Sequence, residues 1–325
     1  MNTLYKYYSP RLDIIKYLEN PTIKLSSTKS FNDPFEMSMA NTLAEKLSKT
    51  FIKLISPKEE HNEYDQNEYT HEFKEISKNY GFVSLTETHR NILMWAHYAG
   101  SHEGFCIGYK NDFLSSKYDK SIESKNDEVN LLPLRVKYDK KRFDPAVYRQ
   151  KMTYTQLITQ AMTTKSDEWI YEKEHRCIVP IRIADKFMIT DTSNKETVDS
   201  VERLIKGSSI EITNEKNTYK FKRGFPSWLP IGQSAFEVAF ELNDSVLLKE
   251  IDINSVQSVY FGCKASPDII EKTINLINKN PEKYNHISIY KYTTNKDEFD
   301  LDLKCILNEP SEFNIDDDLF NSFFL

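Results

Sequence analysis

Two carboxylates lie close together in the stretch WIYEKEHRCIVPI, residues 169–181. If this segment is extended, Glu172, Glu174 and Arg176 fall on one face, because side chains alternate along a strand. Two neighbouring like charges raise the pKa of one carboxyl, and Arg176 can offset that effect by pairing. Such a pair suits stabilisation of a developing cation or binding of ribose hydroxyls. A surface ladder of ion pairs is the alternative.

A second group of chemically versatile residues lies in ILMWAHYAGSHEGFCIGY, residues 92–109. Half of the chain's eight glycines fall in this stretch or just before it, so the backbone either turns sharply or admits a ligand closely. His97 and His102 are five residues apart, a spacing that does not place them on one helix face, so no metal site is predicted. With Trp95 and Tyr98 they could bind a flat polar ligand, and core packing is the alternative.

The N-terminal region holds a third group of candidate residues. LYKYYS places Tyr5 and Tyr7 on one face of a predicted strand and Lys6 on the other. FNDPFE follows as a tight turn in which Asn32 and Asp33 can bond their own backbone. Ligand binding is one interpretation of these residues, and core tyrosines beside an ordinary capped turn are the other.

Strand, helix and strand recur along the chain and must position these residues. The units are TLYKYYS, a helix at 11–19 and TIKLSS; GFVSLTE, NILMWAHYA and GFCIGY; and VQSVYFG, SPDIIEKTINLINKN and HISIYKYTT. LLPLRVKYD and EHRCIVPIRI are further predicted strands, and the polar segments at about 41–80 and 184–228 are predicted insertions. We therefore expect a single α+β domain over residues 1–308, with a mixed central sheet and helical insertions, and an acidic, aromatic tail at 309–325.

Composition argues against several classes of protein. With 39% hydrophobic residues among 325, the chain can fill a core, and a formal net charge of −6 argues against a generally nucleic-acid-binding surface. Four cysteines without CxxC or CxH spacing predict reduced thiols and no zinc cluster. No segment has the length of a membrane span or a signal peptide, so we expect a cytoplasmic protein without membrane contact. GxGxxG, GxxxxGKS, GxSxG and HExxH are all absent from the sequence.

Taken in order, LYKY, FNDPFE, SLTE with MWAHYAGSHEGFCIGY, W.YEKEHR and a late VYFG strand resemble a widespread bacterial family known only as a domain of unknown function. A weaker, architectural resemblance is to ADP-ribosyltransferases, particularly the DarT type that modifies DNA. The order of strands and helices is similar, and Glu172 to Glu174 looks like the ExE element of those enzymes. Tyr5, Lys6 and Tyr7 stand where those enzymes have a His or Arg.

The second resemblance implies an ADP-ribosyltransferase-like sheet and NAD as the substrate. Glu174 would stabilise the cation that forms when the nicotinamide–ribose bond breaks, and Glu172 and Tyr98 would be further catalytic residues. The predicted contacts to NAD are Tyr5, Lys6, Tyr7, Asn32, Asp33, Ser84, Trp95, His97, His102 and Arg176. The expected activity is that of an ADP-ribosyltransferase or NAD glycohydrolase with a nucleic-acid or protein acceptor, acting as a bacterial toxin or phage-defence effector.

Two other functions stay open. A non-enzymatic ligand-sensing or interaction module of a defence system would use the same motifs as a recognition pocket. Its tail, EPSEFNIDDDLFNSFFL, could then dock on a protein partner, although docking on its own domain explains the tail as well. A metal-dependent nuclease would instead use Asp33, Glu36 and Glu174.

Overall fold

The computed structural model describes residues 3–27, 31–33, 35, 41–55, 67–71, 77–115, 131–144, 153–222 and 235–308. The chain divides into two compact units, and each unit is assembled from separate segments. The first unit draws on Met1–Leu4, Asn20–Thr88 and Lys110–Ser255, and the second on Tyr5–Glu19, His89–Tyr109 and Val256–Leu325. The predicted tail at 309–325 and Glu36 lie outside the described residues.

The strands and helices are numbered in chain order. The strands are β1 (Thr3–Tyr8), β2 (Thr22–Leu25), β3 (Tyr80–Thr86), β4 (Phe105–Lys110), β5 (Leu134–Arg135), β6 (Lys137–Asp139), β7 (Thr164–Ser166), β8 (Glu174–Pro180), β9 (Lys186–Ile189), β10 (Ile210–Ile212), β11 (Thr218–Phe221), β12 (Ser245–Glu250), β13 (Val256–Phe261), β14 (Ser288–Thr294) and β15 (Leu301–Leu307). The α-helices are α1 (Ile14–Glu19), α2 (Asn41–Ile55), α3 (Ile92–Tyr98), α4 (Tyr154–Met162), α5 (Lys195–Lys206), α6 (Ala235–Glu241), α7 (Pro267–Lys279) and α8 (Pro281–Tyr284). Short 3₁₀ helices lie at Ser77–Asn79, Asp167–Glu172, Ile181–Ile183 and Ile253–Ser255.

The first unit contains strands in three arrangements. In one, β3, β8 and β5 lie side by side and antiparallel. In another, the order β10-β11-β9-β12-β2 is antiparallel throughout. The parallel pair of β6 and β7 is the third. Strands β9, β10 and β11 lie within the segment predicted as an insertion at 184–228, and they form a sheet with β12 and β2.

Helices α2 and α4 cover the core of the first unit. Ala44 and Leu47 of α2 pack in one buried cluster with Phe82, Leu157 and Met162. The polar sequence around α2 suggested an excursion from the core, but Ala44 and Leu47, one helical turn apart, are both 0% exposed. Helix α4 begins at a capping box in which Thr153 and Gln156 satisfy each other's backbone amides.

The second unit contains a mixed sheet. Its strand order is β15-β14-β13-β4-β1, in which β13 and β14 are parallel while β14 pairs with β15, and β13 with β4, in the antiparallel sense. The parallel pair follows from the unit β13, α7, β14, because parallel neighbours need a crossover connection. Mixed sheet and helices together confirm the predicted α+β class, and the likeness to the ADP-ribosyltransferase fold stays a prediction. No helix in the part of the chain that is described combines the length and apolar character needed to cross a membrane.

Candidate functional site

Two carboxylates and two cations of the first unit form a buried ion network, which consists of Lys165, Glu172, Glu174 and Arg176. Lys165 Nζ lies 2.6 Å from Glu172 Oε2 and 3.1 Å from Glu174 Oε2. Arg176 Nη2 donates to both carboxylate oxygens of Glu174, at 2.9 and 3.0 Å. Arg176 is 0% exposed and Lys165, the most exposed member, is 8% exposed. The predicted pairing of Arg176 with a carboxylate is therefore present, to Glu174, but it lies inside the protein.

A change of backbone direction brings the two carboxylates together. The 3₁₀ helix at Asp167–Glu172 ends at Lys173, a non-glycine residue in the left-handed region with φ 45° and ψ 48°. Strand β8 then begins at Glu174, so the extended conformation expected for the whole segment is found only from this residue onwards. Glu174 and Arg176 share a face by strand alternation, whereas Glu172 joins them through the turn.

The network holds Glu174 in its ionised form. Burial alone would raise the pKa of this carboxyl, but the charges of Arg176 and Lys165 and a hydrogen bond with Ser84 lower it from 4.5 to about 2. The two positive and two negative formal charges of the network cancel, which offsets the cost of burying them. At neutral pH Glu174 can therefore stabilise positive charge or accept hydrogen bonds, but it cannot act as a proton donor.

Arg176 also connects the network to the FNDPFE turn. Its Nη1 donates to the Met162 carbonyl oxygen at 2.8 Å, and its guanidinium lies 5.0 Å from the ring centre of Phe31. Within the turn, Asp33 is buried and its Oδ1 accepts from the Phe35 amide at 2.8 Å, while Asn32 is exposed. The Asp33 side chain therefore caps the turn.

Lys165 and Tyr138 belong to this site although neither was predicted. Two buried carboxylates and one Arg would leave one negative charge uncompensated, so charge balance requires a second cation, but nothing in the sequence identifies Lys165 as that cation. The Tyr138 hydroxyl oxygen accepts the backbone N–H of Glu174 at 2.7 Å. Burial raises the pKa of Tyr138 to about 12, although the amide hydrogen bond acts in the opposite direction.

Partly exposed aromatic residues of the 3₁₀ helix at Asp167–Glu172 lie beside the network. Lys165 Nζ lies 5.0 Å from the ring centre of Trp169, whose ring centre is 6.1 Å from that of Tyr171. Both side chains are half-buried, and Ile170 between them is 60% exposed. An apolar, partly accessible surface therefore accompanies the buried charges in the first unit.

In the second unit, three predicted residues come together in an aromatic cluster. The ring of Tyr7 meets Trp95 edge-on at 5.0 Å, and Tyr5 meets His89 edge-on at 4.9 Å. Trp95 is 0% exposed, and its Nε1 donates to the His89 carbonyl oxygen at 2.8 Å. Tyr5, Tyr7 and Trp95 therefore belong to one packed aromatic cluster in the core of the second unit.

His89 lies at the centre of that cluster and was not predicted. Its ring stacks on Tyr260 at 4.0 Å, and its Nδ1 lies 2.6 Å from the Tyr292 hydroxyl oxygen. Burial, with the nearby charge of Arg90, lowers the pKa of His89 to about 3, so the ring is neutral at physiological pH. The sequence signal for this cluster was the alternation in YKY of the last predicted strand, which places Tyr290 and Tyr292 on one face.

The turn after α3 accounts for two of the four clustered glycines, Gly100 and Gly104. Gly100, Ser101 and His102 have φ values of 56°, 55° and 74°. The amides of Ser101, His102 and Gly104 donate to carbonyl oxygens at the end of α3, at 3.3, 3.2 and 2.8 Å. A Cβ on Gly104 would lie 2.1 Å from the Tyr8 carbonyl oxygen. These amide groups serve the turn itself, and the glycine at 104 permits a close backbone approach.

The remaining predicted site residues are more accessible. His97 is exposed at the end of α3, with its ring centre 6.3 Å from that of Tyr98, and Lys6, Tyr98 and His102 are half-buried. Burial and the charge of Lys264 lower the pKa of His102. Among the residues that the structure describes, no group of three or more His, Cys, Asp or Glu side chains could hold a metal ion.

The fold and the network define an α+β protein with a buried cluster of compensated charges. Residues 94–177 match the family model described as "Protein of unknown function (DUF2971)", which confirms the expected domain-of-unknown-function family. The matched segment runs from α3 to β8 and includes all four residues of the buried ion network. Comparisons with curated proteins and with solved structures gave no match.

Proposed function

We propose that the first unit carries the active site of an NAD-cleaving enzyme, either an ADP-ribosyltransferase or an NAD glycohydrolase. The observation that supports this function is the buried carboxylate of Glu174, which Arg176 and Lys165 keep ionised with a pKa of about 2. Cleavage of the nicotinamide–ribose bond leaves positive charge on the ribose ring, and a fixed negative charge lowers the free energy of that state. NAD is here the substrate and not a resident cofactor.

The proposed step balances without a proton from Glu174. The bond between the nicotinamide nitrogen and the ribose carbon breaks, and its electron pair leaves with nicotinamide. Water, or a nucleophilic group of a nucleic-acid or protein acceptor, forms the new bond to that carbon and releases its proton to solvent. The bidentate pair with Arg176 fixes the orientation of the Glu174 carboxylate, so little reorganisation is needed as the cation forms.

The resting charge of the network suits an uncharged ribose. Because the charges of the two cations and the two carboxylates cancel, a neutral sugar can approach without leaving a buried charge unpaired.

Consumption of NAD or modification of a nucleic acid by such an enzyme would arrest growth, which fits a toxin or phage-defence effector. The supply of NAD places this activity in the cytoplasm.

A ligand-sensing or interaction module of a defence system is the second candidate function. It is favoured by the saturation of Glu174, which is 3% exposed and interacts with Arg176, Lys165 and Ser84. A carboxylate with so many donors can also serve to fix the fold of a recognition module. In that case the protein binds a nucleotide without cleaving it.

Measurement of nicotinamide release separates the two functions. The purified protein is incubated with NAD, alone and with DNA, RNA or protein acceptors, and nicotinamide is quantified by chromatography. Glu174→Gln is expected to lower the rate by about a hundredfold or more, while Glu202→Gln, at an exposed ion pair of α5, leaves it unchanged. Binding of NAD without release would favour the sensor, and neither binding nor release by the wild-type protein would refute the enzyme.

A control for folding is needed because Glu174→Gln leaves Lys165 and Arg176 with less negative charge. Glu174→Asp keeps the charge but shortens the side chain, and circular dichroism reports whether either variant is folded. A folded Glu174→Gln variant with full activity would contradict the assigned role.

A further inference from the structure

Tyr138 has a hydrogen-bond donor that the described part of the chain leaves unused. A phenol carries one O–H donor and also accepts hydrogen bonds at its oxygen. The oxygen of Tyr138 accepts from the Glu174 amide at 2.7 Å, and among the contacts of the described residues its own O–H donates to none. The side chain is half-buried. Its pKa of about 12 keeps the proton in place at physiological pH.

The amide bond fixes this hydroxyl beside the buried ion network. The accepting oxygen is tied to the backbone of the residue that carries the proposed catalytic carboxylate. The charges of Glu174, Glu172 and Lys165 all act on the pKa of Tyr138, which places the hydroxyl within electrostatic reach of the three. Tyr138 is therefore an anchored donor at the edge of this site.

We propose that Tyr138 binds the substrate by donating its O–H to a hydroxyl oxygen of the nicotinamide ribose; this rests on the proposed NAD cleavage. A ribose hydroxyl can donate to a carboxylate, but its lone pairs then need a donor, and carboxylates only accept. Lys165 and Arg176 already donate to the carboxylates and to the Met162 carbonyl oxygen. The phenol supplies the missing donor.

The first test is the kinetics of Tyr138→Phe, with Tyr219→Phe as the matched control. Tyr219 also lies on a short strand of the first unit, where it stacks on Phe187 at 5.2 Å. Loss of one donated hydrogen bond is expected to raise KM for NAD about tenfold, with kcat changed less than about threefold. For an NAD analogue that lacks the hydroxyls of the nicotinamide ribose, KM should be the same for the wild-type protein and for Tyr138→Phe. An unchanged KM for NAD would overturn the inference while leaving the cleavage proposal intact.

A second variant avoids the loss of the acceptor for the Glu174 amide. A fluorinated tyrosine at position 138 keeps the ring and its oxygen but has a more acidic phenol. KM of the wild-type protein should stay flat from about pH 6 to about pH 9, because the pKa of Tyr138 is about 12, whereas KM of the fluorinated protein should rise as its phenol ionises. Equal, flat profiles over a pH range in which ultraviolet absorbance shows that the fluorinated phenol ionises would show that the O–H does not contact substrate. Failure of the wild-type protein to bind or cleave NAD would instead overturn the proposed function.

Discussion

Replacement of Lys165 by Met tests whether the buried ion network is held together by charge balance. Methionine fills a similar volume without a charge, so the variant leaves Glu172 and Glu174 with Arg176 as their only cation in the network. One uncompensated buried charge costs about 3–5 kcal/mol of the free energy of unfolding. Lys206→Met, which removes an exposed partner of Glu202 at 3.4 Å, should cost less than about 1 kcal/mol.

The pH dependence of that cost has a defined sign. In the wild-type protein the pKa of Glu174 is lowered from 4.5 to about 2, so its stabilising contribution is present above about pH 4.5 and is lost as pH falls through 2. Without Lys165 the pKa of Glu174 rises, and a bound proton replaces the missing positive charge. The difference between variant and wild type should therefore shrink as the pH is lowered from about 7 to about 4.

Urea unfolding followed by tryptophan fluorescence measures these differences at each pH. Two results would refute the reasoning about Lys165. One is a loss below about 1 kcal/mol at pH 7. The other is a loss that is the same at pH 7 and pH 4, because a packing defect alone would not titrate.

Two further predictions concern the second unit. Because the folded state keeps His89 neutral down to a pKa of about 3, the unfolded chain binds a proton that the folded chain does not, and the free energy of unfolding should fall by about 2 kcal/mol from pH 7 to pH 5. His89→Asn should remove most of that slope in urea titrations, and an unchanged slope would contradict the assignment to His89. Gly104→Ala should cost more than about 2 kcal/mol in thermal unfolding, because its Cβ would meet the Tyr8 carbonyl oxygen at 2.1 Å. Gly207→Ala, where the nearest atom lies at 3.3 Å, should cost less than about 1 kcal/mol, and equal costs at the two glycines would show that the close approach is unimportant.

The sequence predicted those features that depend on local periodicity. The unit β13, α7, β14 follows from an alternating strand, a Ser-Pro start and an amphipathic helix, and the structure has it. Alternation also placed Glu174 and Arg176 on one face of β8. Helical spacing separates Trp95 from His97 by about 200°, which agrees with a buried Trp95 and an exposed His97.

Features that depend on distant parts of the chain were not predictable in the same way. Lys165 and Tyr138 reach Glu174 from β7 and β6, and no local pattern links these segments to β8. Polar composition hid the buried face of α2, because only a minority of its positions are apolar. The position of His89 depends equally on the packing of β13 and β14.

The left-handed conformation of Lys173 has a consequence for how the carboxylate pair is encoded. If Lys173 took the ordinary right-handed conformation, the 3₁₀ helix before it would continue and each further residue would rotate about 120° around its axis. Glu174 would then point away from Glu172 and could not start β8 beside it. The meeting of the two carboxylates at one lysine therefore depends on the left-handed backbone conformation of a single residue, which the spacing of the carboxylates in the sequence does not reveal.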